Sequence, residues 1–171
     1  MIERPFRVYM RRALIEELKR HALEALPDEA CGLLGGTVLA AEPDEAFGER
    51  VLEVRVERVY RTSNALPPEL RPIRYEIAPK ELLEVLTRRI PADGLEHVGI
   101  YHSHVNGPDH PSPTDVRQSF YPNAAYLLVS RVRSGELKVG AFRILRDLET
   151  EVGAGEDFRR FIHPAELIVE E

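Results

Sequence analysis

The sequence predicts an α/β fold in which a central mixed β-sheet is flanked by helices. Two observations lead to this prediction. Stretches with apolar residues at four-residue steps, the spacing of one helix face, occur between shorter stretches in which apolar and polar residues alternate, as in half-buried strands. Strands and helices interspersed in this way are typical of a layered α/β protein. The 171 residues suffice for one domain with a substantial core and are few for two, so we assign residues 1–171 to a single domain.

Three helices are predicted. Residues 11–26 form an amphipathic helix that ends at Pro27, and residues 79–90 form a second one that begins with a proline, a favoured first helical residue. A short third helix covers residues 113–120. The inner faces of the longer helices carry apolar residues at helical spacing: Leu14, Leu18, Ala22 and Leu26 in the first, and Leu82, Leu86 and Ile90 in the second.

Five strands are predicted around these helices. The apolar run 30–41 is a buried strand with a bend at its pair of glycines, and residues 51–60 alternate between apolar and charged side chains. Residues 97–104 form a third strand. Residues 125–133 and 136–145 form a hairpin across a Ser-Gly turn.

The remaining segments are predicted as loops and a tail. Residues 42–50 are acidic and residues 63–72 contain three prolines, so both are expected to be surface loops. Residues 153–171 form a C-terminal extension that ends in the apolar run Leu167–Val169. We interpret this run either as an edge strand or as a surface through which two copies associate in a homodimer.

Composition excludes several classes of function. The net charge is −6 and acidic and basic residues are interleaved, so no basic surface for nucleic acid is expected. No apolar run approaches the roughly 18 residues that span a membrane. Residues 1–6 lack the basic and apolar stretches of an export signal, and Cys31 is the only cysteine, so we expect a protein of the reducing cytoplasm without an intramolecular disulfide.

The segment that points to a function begins with His102-Ser103-His104 and continues, after seven residues, with Ser112-Pro113-Thr114-Asp115. Residues i and i+2 of a strand point to the same face, so the two imidazoles can converge on one ion, with Val98 and Ile100 on that face behind them. Asp115 would return to the ion from the first turn of the following helix. Two nitrogens and one carboxylate leave a fourth tetrahedral position for water, which is the arrangement of a catalytic zinc site.

The same residues also have a structural interpretation. Ser112 is a good N-cap, the following proline suits the first helical position, and Asp115 can reach back as in a capping box. His102 and His104 could be partly buried strand histidines. The two interpretations are compatible, because a capped helix is one way to hold Asp115 rigidly.

The spacing of His102, His104, Ser112 and Asp115 resembles the signature of the JAMM (MPN+) metallo-isopeptidases. Further segments resemble the short bacterial members of that family and fall in the same order along the chain: residues 27–35 (PDEACGLLG), 74–77 (RYEI), 98–101 (VGIY) and 141–143 (AFR). One departure is visible, since family members commonly have proline directly after the second histidine and this chain has Val105.

The resemblance implies a three-layer cytidine-deaminase-like fold and one zinc ion per chain, bound by His102, His104 and Asp115. It implies that Glu29 is the general acid and base and that Ser112 assists at the reaction centre. It also implies a substrate: the C-terminal tail of a ubiquitin-like or sulfur-carrier protein, joined by an amide bond either to a lysine of another protein or to a small amino acid. We favour the first version, deconjugation, and the alternative is trimming of the carrier within a sulfur-transfer pathway.

Other functions stay open at this point. The chain could be a non-catalytic MPN scaffold, or a non-haem iron oxygenase, since that class also uses two histidines and a carboxylate. Cys31 could be a nucleophile, although a lone cysteine in an apolar strand is more often a small buried residue. His110 could contact substrate or metal, but a solvated loop histidine is the simpler interpretation. We expect the other histidines to be structural: His21, His97 and His163.

Overall fold

The computed structural model describes residues 4–146 and 157–171. Within these ranges eight strands form one mixed sheet: β1 (Arg7–Arg11), β2 (Cys31–Asp44), β3 (Gly48–Thr62), β4 (Glu96–Ser103), β5 (Ala125–Arg131), β6 (Leu137–Ile144), β7 (Ile162–Pro164) and β8 (Glu166–Glu170). Their order across the sheet is β7-β6-β5-β4-β2-β3-β1-β8. β1 is parallel to β3 and β8, and β4 is parallel to β5, while the other neighbours are antiparallel.

The helices lie on both faces of this sheet, as predicted. The long helix α1 spans Arg12–Ala25. On the other face, α2 (Pro79–Glu84) continues through a π-helical turn, Val85–Arg89, into α3 (Ile90–Ala92). The short helices are α4 (Pro113–Arg117) and a 3-10 helix (Phe158–Phe161). No helix in the described ranges is long and apolar enough to cross a membrane.

The sheet curls around α1. β7 and β8 are separated only by Ala165, yet they pair with β6 and β1, which belong to opposite ends of the strand order. The two ends must therefore approach each other. In agreement, α1 contacts β1, β3, β5 and β6. The helix thus lies on the concave face of the sheet.

Two apolar cores result, one on each face of the sheet. The concave core joins α1 to the sheet through buried residues such as Leu18, Met10 and Val54. The convex core joins the sheet to α2, α3 and α4 through residues such as Ile90 and Val116. β4 and β5 contribute side chains to both cores, so the strand that ends in the histidine pair is buried on both faces.

The prediction of a loop over residues 42–50 was wrong. β2 and β3 continue as a paired hairpin to Asp44 and Gly48. The turn is stabilised by Asp44, whose Oδ1 accepts hydrogen bonds from the N–H groups of Ala46 and Phe47, both at 2.9 Å, and by Gly48, whose φ of +77° suits glycine. Acidic side chains can occupy this ladder because they are largely exposed to solvent.

The prediction that Val98 shares a face with Ile100 was also wrong. Leu34 pairs with Gly99 and Gly35 with His97, so β4 carries one extra residue at Val98. Such a bulge turns the following side chains to the opposite face relative to the preceding ones. Val98 therefore packs in the concave core, whereas Ile100 packs in the convex core.

The other differences concern two strands and the ends of helices. β1 and β7 were not predicted, and Arg11, predicted as the first helical residue, is the last residue of β1. The third helix ends at Arg117 rather than at residue 120. In the C-terminal extension, residues 153–156 lie outside the described residues, but Leu167–Val169 belongs to the edge strand β8, which confirms that alternative.

Replacing Leu18 with alanine should lower the free energy of unfolding by about 2–5 kcal/mol, because this fully buried side chain fills the concave core and leaves a cavity when truncated. Leu23→Ala is the matched control on the same helix, since Leu23 is 51% exposed, and its effect should stay within about 0.5 kcal/mol. Chemical denaturation measures both. Equal losses in the two variants would contradict the packing of α1 described above.

Candidate active site

The two histidines of the signature are presented by the end of β4. His102 is the last strand residue but one, and His104 is the first residue beyond the strand. The ladder to β5 nevertheless continues, because the N–H of His104 donates to the carbonyl of Val129 at 2.9 Å. Both histidines are buried. Their backbone is therefore held by a central strand of the sheet, which makes the pair rigid.

The structure brings His102, His104 and Asp115 together at one point. The Nε2 atoms of the two imidazoles are 3.2 Å apart, and each lies 3.2 Å from Oδ2 of Asp115. Within the described residues this is the cluster of three or more potential metal ligands whose ligand atoms all lie within 4.8 Å of one another. The three atoms form a nearly equilateral triangle.

The shape of this triangle fits a zinc ion. Four ligand atoms placed tetrahedrally about 2.0–2.1 Å from zinc lie roughly 3.3–3.4 Å from one another. The three observed edges of 3.2 Å are close to that value. Two imidazole nitrogens and one carboxylate oxygen are also ligands that zinc prefers, and a set of three leaves one position for water or substrate.

A neighbouring loop orients the imidazole of His104. Its Nδ1 lies 2.7 Å from the carbonyl oxygen of Pro108, which can only accept, so the proton is on Nδ1 and the lone pair of the neutral ring is on Nε2. Gly107 packs directly against the ring, and a Cβ at that position would lie 3.0 Å from ring atoms. The loop therefore directs a lone pair into the triangle although it lacks the usual proline at Val105.

Asp115 is held by the start of α4. Ser112 is the N-cap, as predicted: its Oγ accepts from the N–H of Asp115 at 3.1 Å, and its own N–H donates to Oδ2 of Asp115 at 2.8 Å. Oδ2 is the same oxygen that completes the triangle with the histidines. The helix cap and the ligand cluster thus share one atom, so both interpretations of this segment hold.

The electrostatics of the cluster favour a positive charge at its centre. Burial alone would raise the pKa of Asp115, but the charges and hydrogen bonds of His102 and His104 hold it well below its ordinary value. Burial lowers the pKa of His104, yet its hydrogen bonds to Asp115 and Pro108 raise it overall. A buried carboxylate that stays ionised next to two imidazole nitrogens forms an arrangement that a cation would stabilise further.

Glu29 lies beside this cluster, in the segment between α1 and β2. The next residue, Ala30, forms two hydrogen bonds with Ser103: its N–H donates to Oγ at 2.8 Å, and its carbonyl accepts from the serine N–H at 3.0 Å. Because Ser103 stands between the two histidines, these bonds place Glu29 at the edge of the cluster. His102 and His104 are close enough for their charges to act on its pKa.

The environment of Glu29 favours the protonated form of its carboxyl group. The residue is only 5% exposed, and within residues 4–146 and 157–171 its carboxylate has no hydrogen-bond donor or cation as a partner. Burial raises the pKa of Glu29 to about 7, with the neighbouring imidazoles opposing the shift. A carboxyl group that titrates near neutrality can both accept and return a proton under working conditions.

Two further residues, to which no sequence pattern assigned a role, hold the site together. The ring of Tyr75 stacks on His102, with ring centroids 4.6 Å apart. The side chain of Asn64 donates to the carbonyls of Glu29, at 3.2 Å, and of Arg74, at 2.9 Å. Asn64 therefore ties the Glu29 segment to the segment that carries Tyr75. In the sequence, Tyr75 is marked only by its place in the family-like segment 74–77, and nothing marks Asn64 as part of the site.

The other histidines and the cysteine lie outside the cluster. Cys31 is fully buried, and burial raises the pKa of its thiol to about 11, so it is a small buried residue and not a nucleophile. Nδ1 of His110 lies 3.1 Å from the carbonyl of Pro111 in the loop. The remaining histidines have structural positions: His21 bonds the hydroxyl of Tyr101, His97 bonds the carbonyl of Gly99, and His163 is exposed in β7.

The fold and the cluster together define a class: an α/β protein with a candidate mononuclear metal site of two histidines and one aspartate, next to a buried glutamate. The chain belongs to the prokaryotic JAB family, because residues 11–145 match the family described as prokaryotic homologs of the JAB domain. The resemblance to JAMM (MPN+) proteins is thereby confirmed. Family membership also argues against the iron-oxygenase alternative.

Curated relatives are peptidases. A CysO-cysteine peptidase of Mycobacterium tuberculosis is 32% identical over 142 residues, which cover 83% of this chain and 86% of the relative. A probable TtuB-protein conjugate cleaving protease of Thermus thermophilus is 33% identical over 112 residues, covering 66% and 63%. A desampylase of Haloferax volcanii is 30% identical over 125 residues, covering 70% and 75%.

Solved structures are similar over nearly the whole chain. The solution structure of a Desulfitobacterium hafniense protein superimposes with a TM-score of 0.71 at 28% identity, covering 96% of this chain and 93% of that one. A Salinibacter ruber protein gives a TM-score of 0.59 at 26% identity, covering 95% and 92%. The mixed sheet with few helices is therefore an arrangement that this chain shares with known structures.

Replacing His104 with alanine should weaken metal binding, measured with zinc, by more than about 100-fold, since one of the three candidate ligands is lost and even a lost supporting hydrogen bond costs 10- to 100-fold. His110→Ala, which changes a histidine of the same loop outside the cluster, should bind zinc as the wild type does. Competition with a zinc-sensitive dye measures both affinities. Loss of zinc in the His110 variant, or its retention in the His104 variant, would contradict the proposed ligand set.

Glu29 should make the metal-free protein less stable as the pH rises. Its pKa is about 7 in the folded state against an ordinary 4.5, so folding favours the protonated form. Protonation of Glu29 therefore contributes fully to the free energy of unfolding below pH 4.5, and this contribution is lost as the pH rises through 7. As the pH is raised from 4 to 8, the free energy of unfolding of Glu29→Gln should increase relative to that of the wild type by on the order of 2–3 kcal/mol. Denaturation with chelator present at several pH values tests this, and a pH-independent difference would argue against a raised pKa.

Proposed function

We propose that this protein is a zinc-dependent peptidase that hydrolyses the amide bond at the C-terminus of a ubiquitin-like or sulfur-carrier protein. The observation that carries the proposal is the 3.2 Å triangle of His102, His104 and Asp115 with a buried, partnerless carboxyl group at its edge. Three ligands plus an adjoining acid with a near-neutral pKa are what metal-assisted amide hydrolysis requires. A non-catalytic scaffold needs none of these features.

The zinc ion assigned to the three ligands, one per chain, would polarise the scissile carbonyl and lower the pKa of a bound water to about 7. The protein residues perform the remaining steps. Glu29 accepts a proton from the water whose oxygen adds to the amide carbon, and it delivers a proton to the nitrogen as the carbon–nitrogen bond breaks. The products are a carrier with a free carboxylate and a free amine. Burial of Glu29 keeps its pKa close to the pH at which both transfers are efficient.

Ser112 is assigned to the oxygen of the scissile carbonyl. Its Oγ already accepts a hydrogen bond from the N–H of Asp115, so the serine hydroxyl proton is left to donate. A donor that meets the oxygen as negative charge develops typically contributes about 3 kcal/mol to lowering the barrier. The cap of α4 fixes the position of this hydroxyl next to the ligand Asp115.

The choice of substrate rests on the relatives. One is named as a peptidase of CysO-cysteine, and the other two are named for cleaving TtuB-protein conjugates or for desampylation. Both leaving groups, a single amino acid and a lysine of another protein, are therefore candidates for this chain. The chemistry at the scissile carbonyl is the same for both, so the difference must lie in the surface that receives the leaving amine.

We also propose that the fold is of the cytidine-deaminase-like type. α1 lies on one face of the mixed sheet, and α2, α3 and α4 lie on the other, which gives three layers. In such an arrangement the end of a central strand and the start of the following helix face the same edge. That edge is where His102 and Asp115 meet.

Glu29→Gln should lower the turnover number by about 10²- to 10⁴-fold while zinc remains bound, because the variant keeps the ligands and the volume but loses the proton-transferring group. Glu45→Gln, an exposed glutamate of the β2–β3 turn, is the control and should retain full activity. Cleavage of a carrier protein extended at its C-terminus is followed by mass spectrometry, with and without chelator. Undiminished turnover of the Glu29 variant at saturating substrate, or cleavage unaffected by chelator, would falsify the assignment.

A further inference from the structure

A groove of about 330 Å³ is lined by Glu29 and by none of the three ligands. It is lined by side chains of α1, of the Glu29 segment and of the loop after β3, including His21, Asp28, Ser63, Asn64 and Arg71. Because Glu29 delivers the proton to the leaving nitrogen, a groove that contains Glu29 is placed to receive the group attached to that nitrogen. Its lining therefore bears on which leaving group the protein accepts.

The guanidinium group of Arg71 is held in place by one hydrogen bond, and its outer nitrogens make none within the described residues. Its Nε donates to the carbonyl of Leu66 at 2.7 Å, which fixes the plane of the group. Its Nη1 lies 3.9 Å from Oδ2 of Asp28, beyond hydrogen-bond distance, and the side chain is 35% exposed. Within the described ranges no other acceptor bonds this side chain. The outer N–H groups therefore remain to bind a carboxylate in two-pronged fashion.

The position of Arg71 relative to Glu29 is fixed by the backbone. The N–H of Glu29 donates to the carbonyl of Arg71 at 2.8 Å, and the carbonyl of Glu29 accepts from Asn64 at 3.2 Å. The general acid and the guanidinium thus belong to directly bonded backbone segments that share one groove. Arg71 can therefore contact a group that enters the groove lined by Glu29.

The presence of Arg71 in this groove distinguishes between the two leaving groups. When a carrier tail is joined to a single amino acid, the carbon bonded to the scissile nitrogen also bears a free carboxylate. When the tail is joined to the side chain of a lysine, four methylene groups follow the nitrogen, and the lysine backbone of a protein carries no carboxylate. A guanidinium that lines the same groove as the general acid matches the first substrate and has no partner in the second.

We infer that Arg71 binds the free carboxylate of a single amino acid attached through its α-nitrogen to the C-terminus of a carrier protein. The assignment rests on the proposed function, and it narrows the substrate to carriers extended by one residue. Asp28 is the acid that faces Arg71 in the free protein. Its loose contact with the guanidinium balances the charge until a substrate carboxylate arrives.

Three substrates test the inference. The first is a sulfur-carrier protein extended by one cysteine with a free carboxylate, and the second is the same adduct ending in a carboxamide. The third is the same carrier joined through an isopeptide bond to the side chain of Nα-acetyl-lysine amide. The first two differ only in the charge that Arg71 would recognise, so their ratio of kcat/KM isolates that contact.

For the wild type, kcat/KM for the acid should exceed that for the carboxamide by about 10- to 100-fold, the range that a charged hydrogen bond contributes. Arg71→Gln should abolish this preference by losing activity toward the acid, while activity toward the carboxamide stays within about threefold of wild type. Arg88→Gln removes the same charge from an exposed position in the π-helical turn and should keep the preference. Thermal unfolding and zinc content confirm that each variant is folded and loaded.

Two results would overturn the inference: a wild-type enzyme that cleaves acid and carboxamide equally, or a preference that persists in Arg71→Gln. Either result leaves the proposed function intact as long as chelator stops cleavage. Binding of the acid and carboxamide substrates to Glu29→Gln, with and without Arg71→Gln, is measured by calorimetry and needs no turnover. If nothing is cleaved but binding still depends on the carboxylate and on Arg71, the hydrolase proposal fails and the assignment of the groove stands.

Discussion

One carboxylate oxygen supports the arrangement of the whole site. Oδ2 of Asp115 accepts the N–H of Ser112 and also lies at 3.2 Å from both imidazole nitrogens. The helix start, the ligand triangle and the position of the Ser112 hydroxyl therefore depend on the same atom. Since that oxygen is shared between the backbone and the ligand cluster, a change that moves the first turn of α4 also changes the geometry offered to a metal.

The parts of the site that depend on short-range spacing could be predicted from the sequence. His102 and His104 lie two residues apart at the end of a strand, and Ser112 and Asp115 lie three apart at a helix start. Local geometry alone therefore suggested that the histidines and Asp115 are metal ligands and that Ser112 is a helix N-cap. Glu29 could not be found in this way. It reaches the site only because Ala30 pairs with Ser103 in the folded sheet, and a resemblance to a family was needed to single it out.

The same distinction explains which parts of the fold were missed. Helix α1 has a strong apolar period and was predicted to within one residue at each end. β1 is short, and its strand character comes from pairing with β3 and β8, which are distant in sequence. The bulge at Val98 is likewise set by the register with β2 rather than by residues around it. Tyr75 and Asn64 acquire their roles through contacts that no periodicity records.

The single-residue link at Ala165 between β7 and β8 determines how much of the sheet edges is open to pairing with other chains. Because one contiguous segment supplies both outermost strands, the exposed margins of the sheet are only three and five residues long. Margins this short are poor templates for pairing with a foreign strand. A chain shortened before Ile162 would uncover the eight-residue β6 and also β1 at once, so the last ten residues protect both flanks of the protein from aggregation.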